Sequence, residues 1–276
     1  MLVEVEPGVV LHVDDWHVED WQVGDHGSGR PVVLIAGFGL NSEAWQGQVE
    51  PLTAHGYRVI ALDVRGTGRS TKPLQGYDID RLVSDVVAVL DALQLPRAAV
   101  VGWSFGGQIG MRLAVREPSR VSALIMVGSN GARASRSEEY PFGPDGTDLE
   151  ARLVHLERTK RIATRRRTIA SAFAGEPDPD VVGWLLRMQL QMPSWAAIAS
   201  YPTYLHTDLI ADLSTLKLPV RQIMGAADPV SPIEGAAWLQ ERLPDGQLIT
   251  LDCGHYPMLE VPAAFDEALL RSLTSW

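Results

Sequence analysis

Six short runs set the limits on what this chain can become: Val32 to Ile35, Tyr57 to Leu62, Ala98 to Trp103, Val121 to Val127, Val220 to Met224 and Gln247 to Leu251. Most are apolar without interruption, which is how a strand reads when both of its faces are buried. Amphipathic stretches lie between them. In Asp78 to Leu95, the residues Leu82, Val86, Val89, Leu90 and Leu93 recur at helical spacing, so this segment is expected to lay an apolar stripe on the sheet. Such alternation predicts an α/β fold, a mostly parallel central sheet with helices on both faces. The first thirty residues, with Val3, Val5, Val9, Val10 and Val13, read as antiparallel edge strands in which Trp16 and Trp21 pack.

The alternation stops between roughly Asn130 and Leu213, where Arg, Trp, Met and Pro are plentiful and no β-rich run occurs. This predicts a helical cap inserted after the sixth strand and lying over the sheet: residues 1–129 and 213–276 form the core, 130–212 the cap. With 276 residues, 46% of them hydrophobic, the chain can bury a sizeable core. Its 24 Lys and Arg against 34 Asp and Glu give a net charge of −10, which argues against a nucleic-acid binder. Apolar runs such as Val86 to Leu90 are too short to span a bilayer, and the acidic start, Met1 to Glu6, does not read as a secretory signal. A single cysteine, Cys253, excludes an internal disulfide and fits a reducing compartment, so the expected location is cytoplasmic.

The segment Gly102-Trp103-Ser104-Phe105-Gly106 closes a predicted buried strand and opens a helix. A side chain held on so sharp a strand-to-helix turn needs neighbours without a Cβ, and Gly102 and Gly106 supply them. Ser104 would then project from the carboxyl edge of the sheet. A serine hydroxyl is a weak nucleophile unless a base takes its proton and a third group orients the base. His255, in Cys253-Gly254-His255-Tyr256-Pro257 after the last predicted strand, is the best placed of seven histidines. His12, His17, His26 and His55 read as surface or hydrogen-bonding residues. Asp228 follows the strand Val220 to Met224, whereas the alternative site after Val127 carries Gly128-Ser129-Asn130 and no carboxylate. The chain order is therefore Ser104, Asp228, His255. The loop Ala36-Gly37-Phe38-Gly39 follows an earlier strand, and the backbone N–H groups of Phe38 and Phe105 are the candidate donors to an oxyanion.

Four segments in order, Gly37 to Gly39, Asp63 to Ser70, Gly102 to Gly106, and Gly225 to Pro229 with Gly254 to Pro257, make the chain resemble the α/β-hydrolase family. The resemblance implies Ser104 as nucleophile, His255 as general base, Asp228 as its orienting acid, and the Phe38 and Phe105 amides as oxyanion hole. Ala36 stands where the family usually has a histidine. A serine at position 104 sets the chain apart from the dehalogenases and epoxide hydrolases of the same fold, which resemblance says use aspartate there. The glycines of Asp63 to Ser70 lack the Gly-Lys-Ser/Thr ending of a phosphate loop, and no metal-ligand spacing occurs, so neither nucleotide, cofactor nor metal is expected.

Within the cap, Trp184, Met188, Met192, Trp195 and His206, together with Gly37 and Trp103, are the candidates for an apolar substrate pocket. Residues 151–170 hold Arg152, Arg158, Lys160, Arg161, Arg165, Arg166 and Arg167 against Glu157. Such a run reads either as a solvated helix face or as a dock for an anionic acyl carrier. The solvated face is the usual explanation of such a run; Gly37 to Ser42 and Gly102 to Ser104 are similar to the pimeloyl-carrier methyl esterases, which lends support to the second. The expected activity is hydrolysis of a carboxylic ester or lactone of medium size and hydrophobic character through an acyl-enzyme. A carrier-dependent thioesterase, methyl esterase or acyltransferase, a carbon–carbon bond hydrolase, and a non-catalytic binding protein are the alternatives.

Overall fold

The structure is a computed structural model that describes residues 1–17 and 29–274. Trp21 and His26 lie outside the described residues. Eight strands run in chain order as β1 (Leu2–Glu6), β2 (Val9–Trp16), β3 (Arg30–Ile35), β4 (Tyr57–Leu62), β5 (Ala98–Trp103), β6 (Val121–Val127), β7 (Val220–Gly225) and β8 (Gly246–Leu251). In the sheet their order is β1-β2-β4-β3-β5-β6-β7-β8. The β1–β2 and β2–β4 pairs are antiparallel, as expected for the amino-terminal edge, and β3 to β8 are parallel throughout. Trp16 ends β2 and is half-buried against the core.

The continuous apolar runs are explained by what each face meets. Along β3, Val33 and Ile35 join one apolar cluster while Val32 and Leu34 join the other, and β5 and β6 alternate in the same way. The first cluster is covered by α2 (Ile79–Ala92) and α3 (Phe105–Arg116), the second by α1 (Gln46–Ala54) and α9 (Pro262–Leu273). Helix α2 buries Leu82, Val83, Val86, Val89 and Leu90, and Asp78 caps its start by accepting from Arg81 N at 2.9 Å.

Three α-helices intervene between β6 and β7: α4 (Gly146–Ala170), α5 (Pro179–Leu190) and α6 (Ser194–His206). The regular helix begins later than the sequence suggests. Positive φ at Gly128, Gly131 and Gly143, together with Pro141 and Pro144, holds the stretch before Asp145 in irregular turns. Asp145 then caps α4 through Asp148 N, and Pro179 opens α5 behind the cap Asp178. Helix α4 is broken once, at Lys160, where φ is −141° and ψ is 31°. After β7 come α7 (Ile233–Gln240) and, beyond β8, the short α8 (Pro257–Glu260). Among the described residues no helix is long and apolar enough to cross a membrane.

Candidate active site

Ser104 sits between β5 and α3 at φ 53° and ψ −118°, one of only two non-glycine residues with positive φ among those described. Such a conformation costs on the order of 1–3 kcal/mol and persists where surroundings impose it. The surroundings here are backbone. A Cβ at Gly102 would lie 2.3 Å from the Gly106 carbonyl oxygen, and one at Gly106 would lie 2.3 Å from that of Ile35. The turn is therefore squeezed between its own helix and the end of β3. Gly102→Ala is expected to lower the unfolding free energy by about 3 kcal/mol, because no flexible side chain is available to yield. A urea titration measures this, and a change within about 0.5 kcal/mol would show that the turn can relax.

The tip of β6 and the loops after β7 and β8 bring the acid and the imidazole to the same edge. Asp228 is buried, and its Oδ1 accepts from the backbone N–H groups of Val230 at 2.7 Å and Ser231 at 3.0 Å. Its Oδ2 is left to face His255 Nδ1 at 2.8 Å. Gly128, at φ 50°, passes so close that a Cβ there would stand 3.2 Å from His255 Nδ1. The histidine loop is itself anchored on several sides. Trp103 Nε1 donates to the His255 carbonyl at 2.9 Å, and His255 N donates to the Ala172 carbonyl, just beyond α4, at 2.8 Å. The Glu260 carboxylate accepts from the backbone N–H groups of Ala174, Gly254 and Tyr256. Glu260 leaves no signal in the sequence, since its partners are backbone amides.

Cys253, next to this loop, is buried, and desolvation pushes its thiol up to about 12. The raised value keeps the sulfur protonated at neutral and mildly alkaline pH. The native protein is therefore expected to resist disulfide-exchange reagents at about pH 8 and to react once per chain only after unfolding. Rapid stoichiometric labelling of the native protein would contradict this.

Ser104 and His255 both line a cavity of about 140 Å3. Gly37 and Phe38 form another side of it, and a Cβ at Gly37 would lie 3.2 Å from that of Ser104. The Phe38 N–H donates to no group among the described residues, and Phe105 opens α3, where first-turn N–H groups lack partners inside the helix. Helix α6 holds the Phe38 ring: Tyr201 stacks on it at 5.2 Å and Tyr204 meets it at 5.8 Å. Burial pushes the phenols of both tyrosines up to about 12.

Of the sequence candidates for the pocket, Gly37 and Trp103 line the cavity and the cap residues do not. Met188 is fully buried, and Trp184 partly, in the core beneath α5. Met192 packs with Tyr77, Ala196 and Tyr201. Trp195 is 49% exposed, and His206 points outward to Glu150 at 2.7 Å. The reason is which face turns inward: α5 spends its apolar face on the core, while α4 and α6 supply the ceiling through Leu153, Thr164, Tyr201 and Tyr204. The basic run is likewise divided. Arg165 is buried on Glu157, and Arg161 reaches the Leu190 and Met192 carbonyls at 2.9 Å, so both tie α4 to α5. Arg158, Lys160, Arg166 and Arg167 are exposed.

Residues 30–262 match the family profile described as alpha/beta hydrolase fold. The chain belongs to the α/β-hydrolase family. This hydrolase is 32% identical over 244 residues to a pimeloyl-[acyl-carrier protein] methyl ester esterase of Nitrosomonas europaea, covering 87% of this chain and 94% of the relative. It is 30% identical over 243 residues to 3-oxoadipate enol-lactonase 2 of Acinetobacter baylyi, covering 87% of each. Among solved structures, an esterase from Exiguobacterium antarcticum superposes with a TM-score of 0.91 at 26% identity, covering 100% of this chain and 99% of the other.

Proposed function

We propose that this hydrolase cleaves a carboxylic ester or lactone of a medium-sized, largely hydrophobic substrate through an acyl-enzyme on Ser104. The observation that carries the reading is a single convergence. Ser104, held out by a positive φ, shares a cavity with His255, whose Nδ1 lies 2.8 Å from Asp228. In this reading His255 Nε2 takes the Ser104 proton as Oγ attacks the carbonyl carbon, while Nδ1–H stays donated to Asp228. The Phe38 and Phe105 amides receive the charge that develops on the carbonyl oxygen. Collapse of the tetrahedral species expels the alkoxide, which takes the proton from His255. Water then repeats the sequence on the acyl-serine and releases the acid. The apolar lining by Leu40, Trp103, Leu153 and Val230 favours a hydrocarbon-rich acyl group.

The test is labelling with a fluorophosphonate, with the modified peptide read by mass spectrometry, alongside turnover of p-nitrophenyl esters, lactones and acyl thioesters. One label at Ser104 and turnover of esters or lactones are expected; a native protein that takes no label would defeat the proposal.

A second reading, a carrier-bound acyl substrate, draws on the exposed Arg158, Lys160, Arg166 and Arg167 of α4, which form no ion pair among the described residues. Arg166→Glu, and raised salt, would then depress turnover of a carrier-bound ester steeply while free esters stay nearly indifferent.

A further inference from the structure

The ceiling of the cavity contains an ion pair that the ester-cleaving chemistry does not use. Glu157 and Arg165 both line the cavity, and each is more than nine-tenths buried. A buried pair of this kind is weak ground for stability, since desolvating two charges offsets their attraction.

A guanidinium has five N–H donors. For Arg165, Nε donates to Glu157 Oε2 at 3.1 Å and one Nη2 N–H to Glu157 Oε1 at 2.5 Å. Both N–H groups of Nη1 are committed, to the Gln189 carbonyl and to that of Met192 at 3.0 Å. One Nη2 N–H remains. Glu157 is more fully engaged on one side: Oε1 also accepts from Ser194 Oγ at 3.0 Å and faces Arg161 Nε at 3.2 Å. The carboxylate thus fixes the guanidinium. With Arg161 and Arg165 set against Glu157, the wall carries an excess positive charge that the carbonyls ending α5 only partly offset. Thr164, 8% exposed and also lining the cavity, has a hydroxyl with no hydrogen bond among the described residues.

We infer that this wall is a subsite for a carboxylate at the far end of the acyl group, held by Arg165 and Thr164. The inference rests on the reading of Ser104 as the acylated residue. A remaining N–H, a free hydroxyl and a net positive charge in a mostly apolar enclosure match an anionic acceptor better than a methyl terminus, which would leave all three unpaired.

The test compares p-nitrophenyl hexanoate with mono-p-nitrophenyl adipate, which has the same acyl length and adds the carboxylate. The native enzyme is expected to favour the adipate by about tenfold in kcat/KM, as a site built around a polar group discriminates against its absence. That ratio should fall several-fold in Thr164→Val and approach one in Arg165→Gln, while Arg152→Gln, an exposed cation of the same helix, preserves it. Because Arg165→Gln also loosens α4 from α5, Thr164→Val is the deciding variant. Enzyme that takes the fluorophosphonate at Ser104 yet hydrolyses the two esters equally, or prefers the hexanoate, overturns the subsite. So does a preference that survives in Thr164→Val. Enzyme that does not label overturns the ester-cleaving reading instead.

Discussion

Ser104→Ala is expected to lower kcat for an activated ester on the order of 10⁶-fold, the loss seen when a nucleophile, base and acid act as one unit. The substitution removes only Oγ, and alanine tolerates the positive φ no worse than serine does, so the turn should survive. An unchanged melting temperature beside the lost turnover would separate chemistry from folding. The residual rate would come from the oxyanion donors and from substrate binding alone. Turnover by the purified variant within about a hundredfold of the native enzyme would remove Ser104 from the mechanism.

Asp228→Asn has the next largest expected effect, on the order of 10⁴ in kcat. The geometry says why. Oδ1 accepts from the Val230 and Ser231 amides, so an asparagine would keep its carbonyl oxygen there and turn its NH2 toward His255. Nδ1 would then have to accept a hydrogen bond, which puts the imidazole proton on Nε2. A protonated Nε2 in the neutral ring cannot take the proton from Ser104. The variant would be well folded and in the wrong tautomer. Steady-state kinetics with the same ester measures the loss, and a fall below about tenfold would mean that Asp228 does not set the tautomer.

Legibility in the sequence followed the range of the interactions. The parallel strands were readable because burial on both faces leaves continuous apolar runs, and each of the six expected runs falls within an observed strand. Ser104 was readable because the steric demand of its turn writes two glycines beside it. The ceiling was not. Trp184 and Met188 carry the composition of a pocket, yet that composition equally describes the face α5 buries in the core. Helical periodicity gives the width of an apolar stripe but not the object it meets. The basic run misled for a related reason: charge counts place Arg161 and Arg165 with their exposed neighbours, whereas Glu157 and the carbonyls ending α5 draw these two inward.

The helices α4 to α6 leave the sheet after β6 and return at β7, and those two strands are hydrogen-bonded neighbours. A segment spliced between adjacent strands can be exchanged for another without disturbing the pairing on either side. One tether limits that modularity here: His255 N leans on the Ala172 carbonyl, and Glu260 ties Ala174 to the same loop. A chimera carrying foreign helices in this segment would keep its serine in place and lose the seat of its imidazole, unless the graft ends before these two alanines.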